Sequence, residues 1–195
     1  MNSIAIIPAR GGSKGIHRKN IVMIGNIPLI GFTIMAAKKS KYLSKVIVST
    51  DDQEIMEISN KYGAETPFLR PDSISCDKTR MIEVLKHSLI FLKQSNTKID
   101  AIVLLQPTSP LRNEKHIDEA INLFFRSKAT SVVSVVEVPH QYNPHSILFL
   151  NNKGELVRNS KRDFTRRQDK PKFYARNGPA ILVIDPNTLI NNDLY

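Results

Sequence analysis

The chain lacks tryptophan, has one cysteine, and draws only 7% of its 195 residues from the aromatics. A single thiol, Cys76, excludes an intrachain disulfide and offers no pair at metal-ligand spacing, which suits a reducing cytoplasm. No apolar run approaches the roughly 20 residues that span a bilayer. Residues Met1 to Ile7 lead directly into a short apolar strand, without a basic stretch or a small-residue cleavage site. The expectation is a soluble cytoplasmic protein with no membrane partner. Acidic residues are scarce as well, 18 against 28 Lys and Arg, and the net charge of +10 points to an anionic partner. Charge alone does not choose between a phosphate-rich ligand and nucleic acid. The positive groups fall in two loops rather than along one helix, and no aromatic-rich RNA-binding strand is visible, which argues against a nucleic-acid module. Five histidines, His17, His87, His116, His140 and His145, never approach a metal-binding spacing, and none is assigned as a catalytic base.

What is present is a regular alternation. Ser3 to Ile7 is a continuous β-branched and apolar run stopped by Pro8, as in a strand buried on both faces. Pro28 opens a helix with Ile30, Ile34 and Ala37 at helical spacing and lysines at its end. Lys45 to Thr50 reads as a strand, and Asp52 caps a helix carrying Ile55, Ile58 and Tyr62. Asp77 is expected to start a helix with Met81, Leu85, Leu89 and Leu92 in one stripe, followed by a strand over 100–105. Asn113 caps the next helix, which turns Ile117, Ile121, Phe124 and Phe125 inward, and Val132 to Val138 reads as a further strand. This rhythm predicts an α/β fold, a doubly wound and mostly parallel sheet whose ligands bind beyond the carboxyl ends of the strands. The functional loops are then those after Ile7, Val48 and Leu105.

The rhythm breaks at Pro139. Short alternating fragments such as Ser146 to Leu150, a turn at 151–154 and many charges read as a β-rich excursion, before Ala180 to Ile184 restores a buried strand. The predicted organisation is a nucleotide-binding core over 1–138, an excursion over 139–176 and a return to the core over 177–195. Cys76 is expected to be small and partly buried, and Asp51 to order the end of its strand.

The loop after the first strand, Pro8 to Asn20, carries the densest chemistry. Gly11, Gly12 and Gly15 let the backbone bend closely around a phosphate, while Arg10, Lys14, Arg18 and Lys19 supply fixed positive charge. It is not a Walker motif, because the Gly-Lys-Ser/Thr ending is missing. A basic surface turn remains an alternative on composition alone. Likewise Pro107-Thr108-Ser109-Pro110, taken alone, is as readily an ordinary loop.

Residues Ile7 to Asn20 resemble the signature loop of the acylneuraminate cytidylyltransferase (CMP-sialic acid synthetase) family. Further similar segments follow in order: Val48 to Asp52, Leu69-Arg70-Pro71, Leu105 to Arg112, and Arg167 to Pro171 with Asn177-Gly178. The resemblance implies a nucleotidyltransferase-type fold and transfer of CMP from CTP to an acidic nonulosonic sugar, with pyrophosphate released and magnesium as cofactor. It places Arg10, Gly11, Gly12, Ser13, Lys14 and Lys19 around the triphosphate, with Arg10 and Lys19 as the catalytic pair that neutralises the departing pyrophosphate. Asn20 and Arg70 match positions near the base and ribose, with a turn residue and a surface ion pair as their structural alternatives. Gln106, Thr108 and Ser109 would line the sugar pocket, with Arg112 bracing that loop. The excursion would form a homodimer interface, Tyr142 and Phe173 packing across it, and Arg167 and Asn177 would meet the sugar.

Two departures from the family's pattern bear on this. The family's Ser-Ile-Asp-Ile-Asp-like element, whose carboxylates hold magnesium, has no counterpart before Tyr195, so no metal ligand is assigned and an idle nucleotide-binding or dimerising fragment stands as an alternative. Pro179 to Leu182 occupies a place where many sialate-specific relatives have an aromatic, leaving legionaminic, pseudaminic and eight-carbon ulosonic acids as alternative substrates.

Overall fold

A computed structural model of the chain describes residues 2–94, 98–158, 164–176 and 178–191. In chain order the elements are β1 Ser3–Pro8, β2 Met23–Ile24, β3 Ile27–Pro28, α1 Leu29–Lys39, β4 Leu43–Ser49, α2 Gln53–Lys61, α3 Met81–Gln94, β5 Ala101–Leu104, α4 Glu114–Ser127 and β6 Ser131–Val133. The order continues with β7 Val136–Glu137, β8 Leu148–Leu150, β9 Leu156–Arg158, β10 Tyr174–Ala175, β11 Leu182–Ile184 and α5 Pro186–Asn191. They divide into two compact units, Met1–Ser134 with Pro179–Tyr195, and Val135–Gly178.

The first unit is built on a five-stranded sheet of order β4-β1-β5-β11-β6. Strand β1 runs parallel to β4 and β5, whereas β11 is antiparallel to both β5 and β6. Four of the five strands therefore share a direction, as the alternating sequence predicted, and β11 alone is reversed. Period-two alternation sorts the strand residues onto two faces. Ala5, Ile7, Val46, Val48, Val103 and Val183 meet Ile30 and Ile34 of α1, Ile55 of α2, and Ile117 and Ile121 of α4. Ile4, Ile6, Ile47, Ile102, Leu104 and Ile184 meet Ile82, Leu85 and Leu89 of α3 and Leu189 of α5. Each such side chain fully removed from water contributes about 1.5–3 kcal/mol, so β1, apolar on both faces, anchors the molecule and its loop.

Two helix starts form as expected. The Asp52 carboxylate accepts from the Ile55 amide at 3.0 Å, and Asn113 Oδ1 accepts from the His116 amide at 3.2 Å while His116 Nδ1 accepts from the Asn113 amide. Helix α3 differs: it starts at Met81, not Asp77, because Asp72–Ile74 forms a 3₁₀ turn and the Thr79 amide closes another turn onto the Cys76 carbonyl. Cys76 is exposed, not partly buried.

The strand expected over Val132 to Val138 is divided. Ser134 ends the sheet, donating its amide to the Ile181 carbonyl at 2.9 Å and accepting the Ile181 amide on Oγ at 3.0 Å. Beyond it β7 pairs with β10 instead. The boundary thus falls after Ser134 and before Pro179, earlier at its start and later at its end than the expected 139–176.

The second unit contains the β7–β10 pair and a β8–β9 hairpin. The hairpin turns at Asn151, whose side chain accepts from the amides of Lys153 and Glu155, and at Gly154 with φ 76°. Asn143 is buried there, donating to the Pro171 carbonyl, and the His145 ring packs edge-on against Phe164 and Phe173. Leu148, Phe149, Leu150, Leu156 and Tyr142 are exposed. Among the described residues, no helix is long and apolar enough to cross a membrane.

Candidate active site

Because the chain passes from β1 to β4 on one side of it and then crosses to β5 on the other, the sheet has its topological switch point at β1, where a crevice opens beyond the strand ends. A cleft of about 350 Å³ lies there. Its walls are the loop after β1 (Arg10, Ser13, Lys14, Lys19, Asn20), Arg70, residues Ile74 to Asp77, and the segment after β5 (Gln106, Pro107, Thr108). Met81 and Val84 of α3 add an apolar part.

The β1 loop is held from behind by two carboxylates at the end of β4. Asp51 Oδ1 accepts the Gly11 amide at 3.0 Å, and Asp52 accepts Arg18 Nη2 at 2.8 Å while capping α2. Arg18 also reaches Glu54 at 2.8 Å, and takes a left-handed backbone with φ 48°. Burial tends to raise the Asp52 carboxyl, but the Ile55 amide and the Arg18 guanidinium outweigh it and hold it below the usual range. Gly11 is tightly confined: a Cβ there would stand 2.5 Å from Asp52 Oδ2, so that side chain or the loop would have to shift. Gly12 and Gly15, in contrast, face open space.

The Asn20 side chain, 5% exposed, donates to the Arg10 carbonyl at 2.9 Å and so braces the loop from within. Arg70 is 4% exposed; its Nε donates to Ser75 Oγ at 3.1 Å, and Nη2 lies 3.5 Å from Asp51 Oδ1, an ion pair without hydrogen-bond alignment. The ion pair that stands as the alternative role for Arg70 is thus formed, but with the Arg70 side chain buried and not at the surface. Burial, and then the charge of Arg10, lower its pKa against the pull of Asp51. Facing the cleft, Arg10 Nη2 lies 2.7 Å from Asp77 Oδ1, and Lys14 Nζ pairs with the other oxygen of the same carboxylate. The Lys14 bond foremost, then Arg10, hold Asp77 below the usual carboxylate range despite some desolvation.

Of the residues expected at the nucleotide, Arg10, Ser13, Lys14, Lys19, Asn20 and Arg70 line one cleft, Gly11 turns toward Asp51 and Asp52, and Gly12 is exposed. Gln106 and Thr108 join the same cleft, whereas Ser109 lines a neighbouring, more apolar depression with Leu111, Leu123 and Ile181. Arg112 braces the segment as expected: buried, it donates to the carbonyls of Gln106 and Ala180 at 3.1 and 2.6 Å and to Thr33 Oγ1 at 2.7 Å. Burial lowers its pKa to about 10, which leaves it charged at neutral pH. Arg167 belongs to the second unit, exposed at the start of a 3₁₀ turn, Arg167–Asp169. Asn177 lies outside the described residues. Asp77 and the wall Ile74 to Cys76 were not anticipated as cleft residues; their signal was the run of polar residues between Pro71 and Met81, which a helix starting at Asp77 concealed.

Among the described residues, no group of three or more His, Cys, Asp or Glu side chains is placed to hold a metal ion. Asp51, Asp52 and Asp77 are committed to Gly11 and Arg70, to Arg18 and α2, and to Arg10 and Lys14. The magnesium implied by the family resemblance therefore has no carboxylate set among the described residues.

Comparison with known proteins agrees with this architecture. The pseudaminic acid cytidylyltransferase of Campylobacter jejuni is 33% identical over 175 residues, 89% of this chain and 75% of that protein. The CMP-N,N'-diacetyllegionaminic acid synthase of Legionella pneumophila is 31% identical over 196 residues, all of this chain and 83% of that protein. A solved structure of CMP:2-keto-3-deoxy-manno-octonic acid synthetase complexed with CTP superposes with a TM-score of 0.72 at 17% identity, covering 98% of this chain and 77% of that one, and shows that the fold is shared. With the cytidylyltransferase profile matching residues 4–191, a range that holds β1, its basic loop and the whole cleft, the chain belongs to the cytidylyltransferase family.

Proposed function

We propose that the protein transfers CMP from CTP to the anomeric hydroxyl of an acidic nonulosonic sugar of the sialic acid kind, releasing pyrophosphate. The observation that carries this reading is the convergence of Arg10, Lys14, Lys19 and Arg70 on one cleft at the switch point of the sheet, in a chain of the cytidylyltransferase family. Relatives named for pseudaminic and legionaminic acids support the sugar class.

The sugar hydroxyl attacks the α-phosphorus in line, its bond to phosphorus forming as the bond to the bridging oxygen breaks, and the hydroxyl proton passes to solvent. Catalysis is positioning and charge stabilisation. Arg10 and Lys19 neutralise the oxygens of the departing pyrophosphate, with Ser13, Lys14 and the loop amides closing around it. Arg70 and Asn20 stand at the base and ribose. Gln106, Thr108, Ser109 and Asn177 contact the sugar, and Arg167 holds its carboxylate in a homodimer assembled through the second unit, whose exposed Leu148, Phe149 and Leu150 support that role. Magnesium would neutralise triphosphate charge. The reaction belongs in the cytoplasm, where CTP is made.

The test is pyrophosphate release from CTP, UTP and ATP with a panel of N-acetylneuraminic, legionaminic, pseudaminic and eight-carbon ulosonic acids. Release is expected with CTP and at least one nine-carbon acid. Arg10→Ala and Lys19→Ala should each lower turnover roughly a hundred- to a thousandfold, the usual loss for one preorganised charge contact, with melting temperature little changed. Equal use of UTP or ATP, or no release with any acid, would overturn the reading.

A further inference from the structure

Among the described residues that line the cleft, Asp77 is the only carboxylate. Its two oxygens divide between Arg10 and Lys14, one cation each. That is how a phosphate group with two free oxygens would engage the same pair. Asp77 precedes α3 by several residues and does not serve as the helix start that its sequence position suggests. Lys19, on the same wall, has no carboxylate partner among the described residues. The pairing is not locked by burial: Arg10 and Asp77 side chains keep 32% and 38% of their exposure, so water can take over their solvation when they part.

We propose that Asp77 is an affinity-limiting residue of this cleft, a resident carboxylate that occupies the phosphate-binding cations and must be displaced by any ligand that uses them. The proposal rests on the reading of this cleft as the CTP site. Displacement weakens every ligand whose phosphates reach Arg10 and Lys14 by a common factor, and leaves a ligand without phosphates unaffected. A triphosphate, with several anionic oxygens and Lys19 as a further partner, overcomes the competition. After transfer the pyrophosphate is held only by these cations, and the return of Asp77 to Arg10 and Lys14 helps to expel it. The residue thereby trades ground-state affinity for product release.

The experiment is calorimetric titration of CTP, pyrophosphate and cytidine into the wild-type protein, Asp77→Asn, Asp77→Ser and the control Asp72→Asn. The control removes the same charge from an exposed residue that does not line the cleft. Both Asp77 variants should bind CTP and pyrophosphate about three- to tenfold more tightly, as expected for removal of two partly exposed ion pairs. Cytidine affinity should not change, and Asp72→Asn should alter nothing by more than about twofold, since an exposed charge without a cation partner in the cleft contributes little. Unchanged or weaker CTP binding in both Asp77 variants would overturn the proposal, showing that Asp77 orients the cations or is idle. A gain shared by cytidine or by Asp72→Asn would also overturn it, as an effect of fold or net charge. Wild-type protein that binds no CTP would instead refute the assignment of the cleft.

Discussion

Gly11 leaves no room for a methyl group, because the oxygen it would strike belongs to Asp52, which Arg18 and the first turn of α2 hold in place. Gly11→Ala must move either the loop or the cap. The expected outcome is a loss of about 1–3 kcal/mol in stability, the usual range for overpacking a tight site, together with weaker CTP binding. Thermal melts and titration check it, and a variant that melted and bound like the wild type would show that Asp52 yields freely. Gly12→Ala is the matched control, since open space surrounds that position. The three loop glycines look equivalent in the sequence. What separates them is the approach of a side chain some 40 positions later, as in the Gly11–Asp51 bond, and no local pattern carries that information.

The elements that frame the cleft were legible where periodicity and caps agreed. Helices α2 and α4 begin at Asp52 and Asn113 as short polar residues ahead of apolar stripes require, and β1, β4 and β5 follow from continuous apolar runs. Asn113→Ala should therefore cost about 1 kcal/mol, as loss of an N-cap does, and should lower the melting temperature without changing affinity for CTP; a change in affinity of equal weight would mean that α4 positions the cleft directly. The start of helix α3 was not legible because Asp77 has the chemistry of a cap but serves as a partner for Arg10 and Lys14, which lie far earlier in the chain, in the loop after β1. The direction of β11 was not legible either. Alternation tells which residues are buried, not which way a strand runs, and only its antiparallel pairing with β5 and β6 reveals the reversal.

At the scale of the molecule, the two units differ in how much apolar surface they bury. The core of the first is enclosed on both faces of its sheet, whereas the second leaves Leu148, Phe149, Leu150 and Leu156 in solvent. Hydrogen exchange should accordingly find the amides of β7 to β10 opening well before those of β1, β4 and β5 in dilute solution, because local opening follows local burial. If the second unit mediates a homodimer, its protection should rise with protein concentration. Equal protection of both units at every concentration would contradict both expectations. The excursion also leaves and re-enters the sheet at one place: β6 ends at Ser134, β11 lies beside it in antiparallel register, and Ser134 and Ile181 bond to one another. Two such neighbours could be joined by a tight turn. The residues between them are thus an insertion at a single strand-to-strand junction, so a change in their length leaves the connection of the sheet, and the cleft assembled wholly from the other unit, in place.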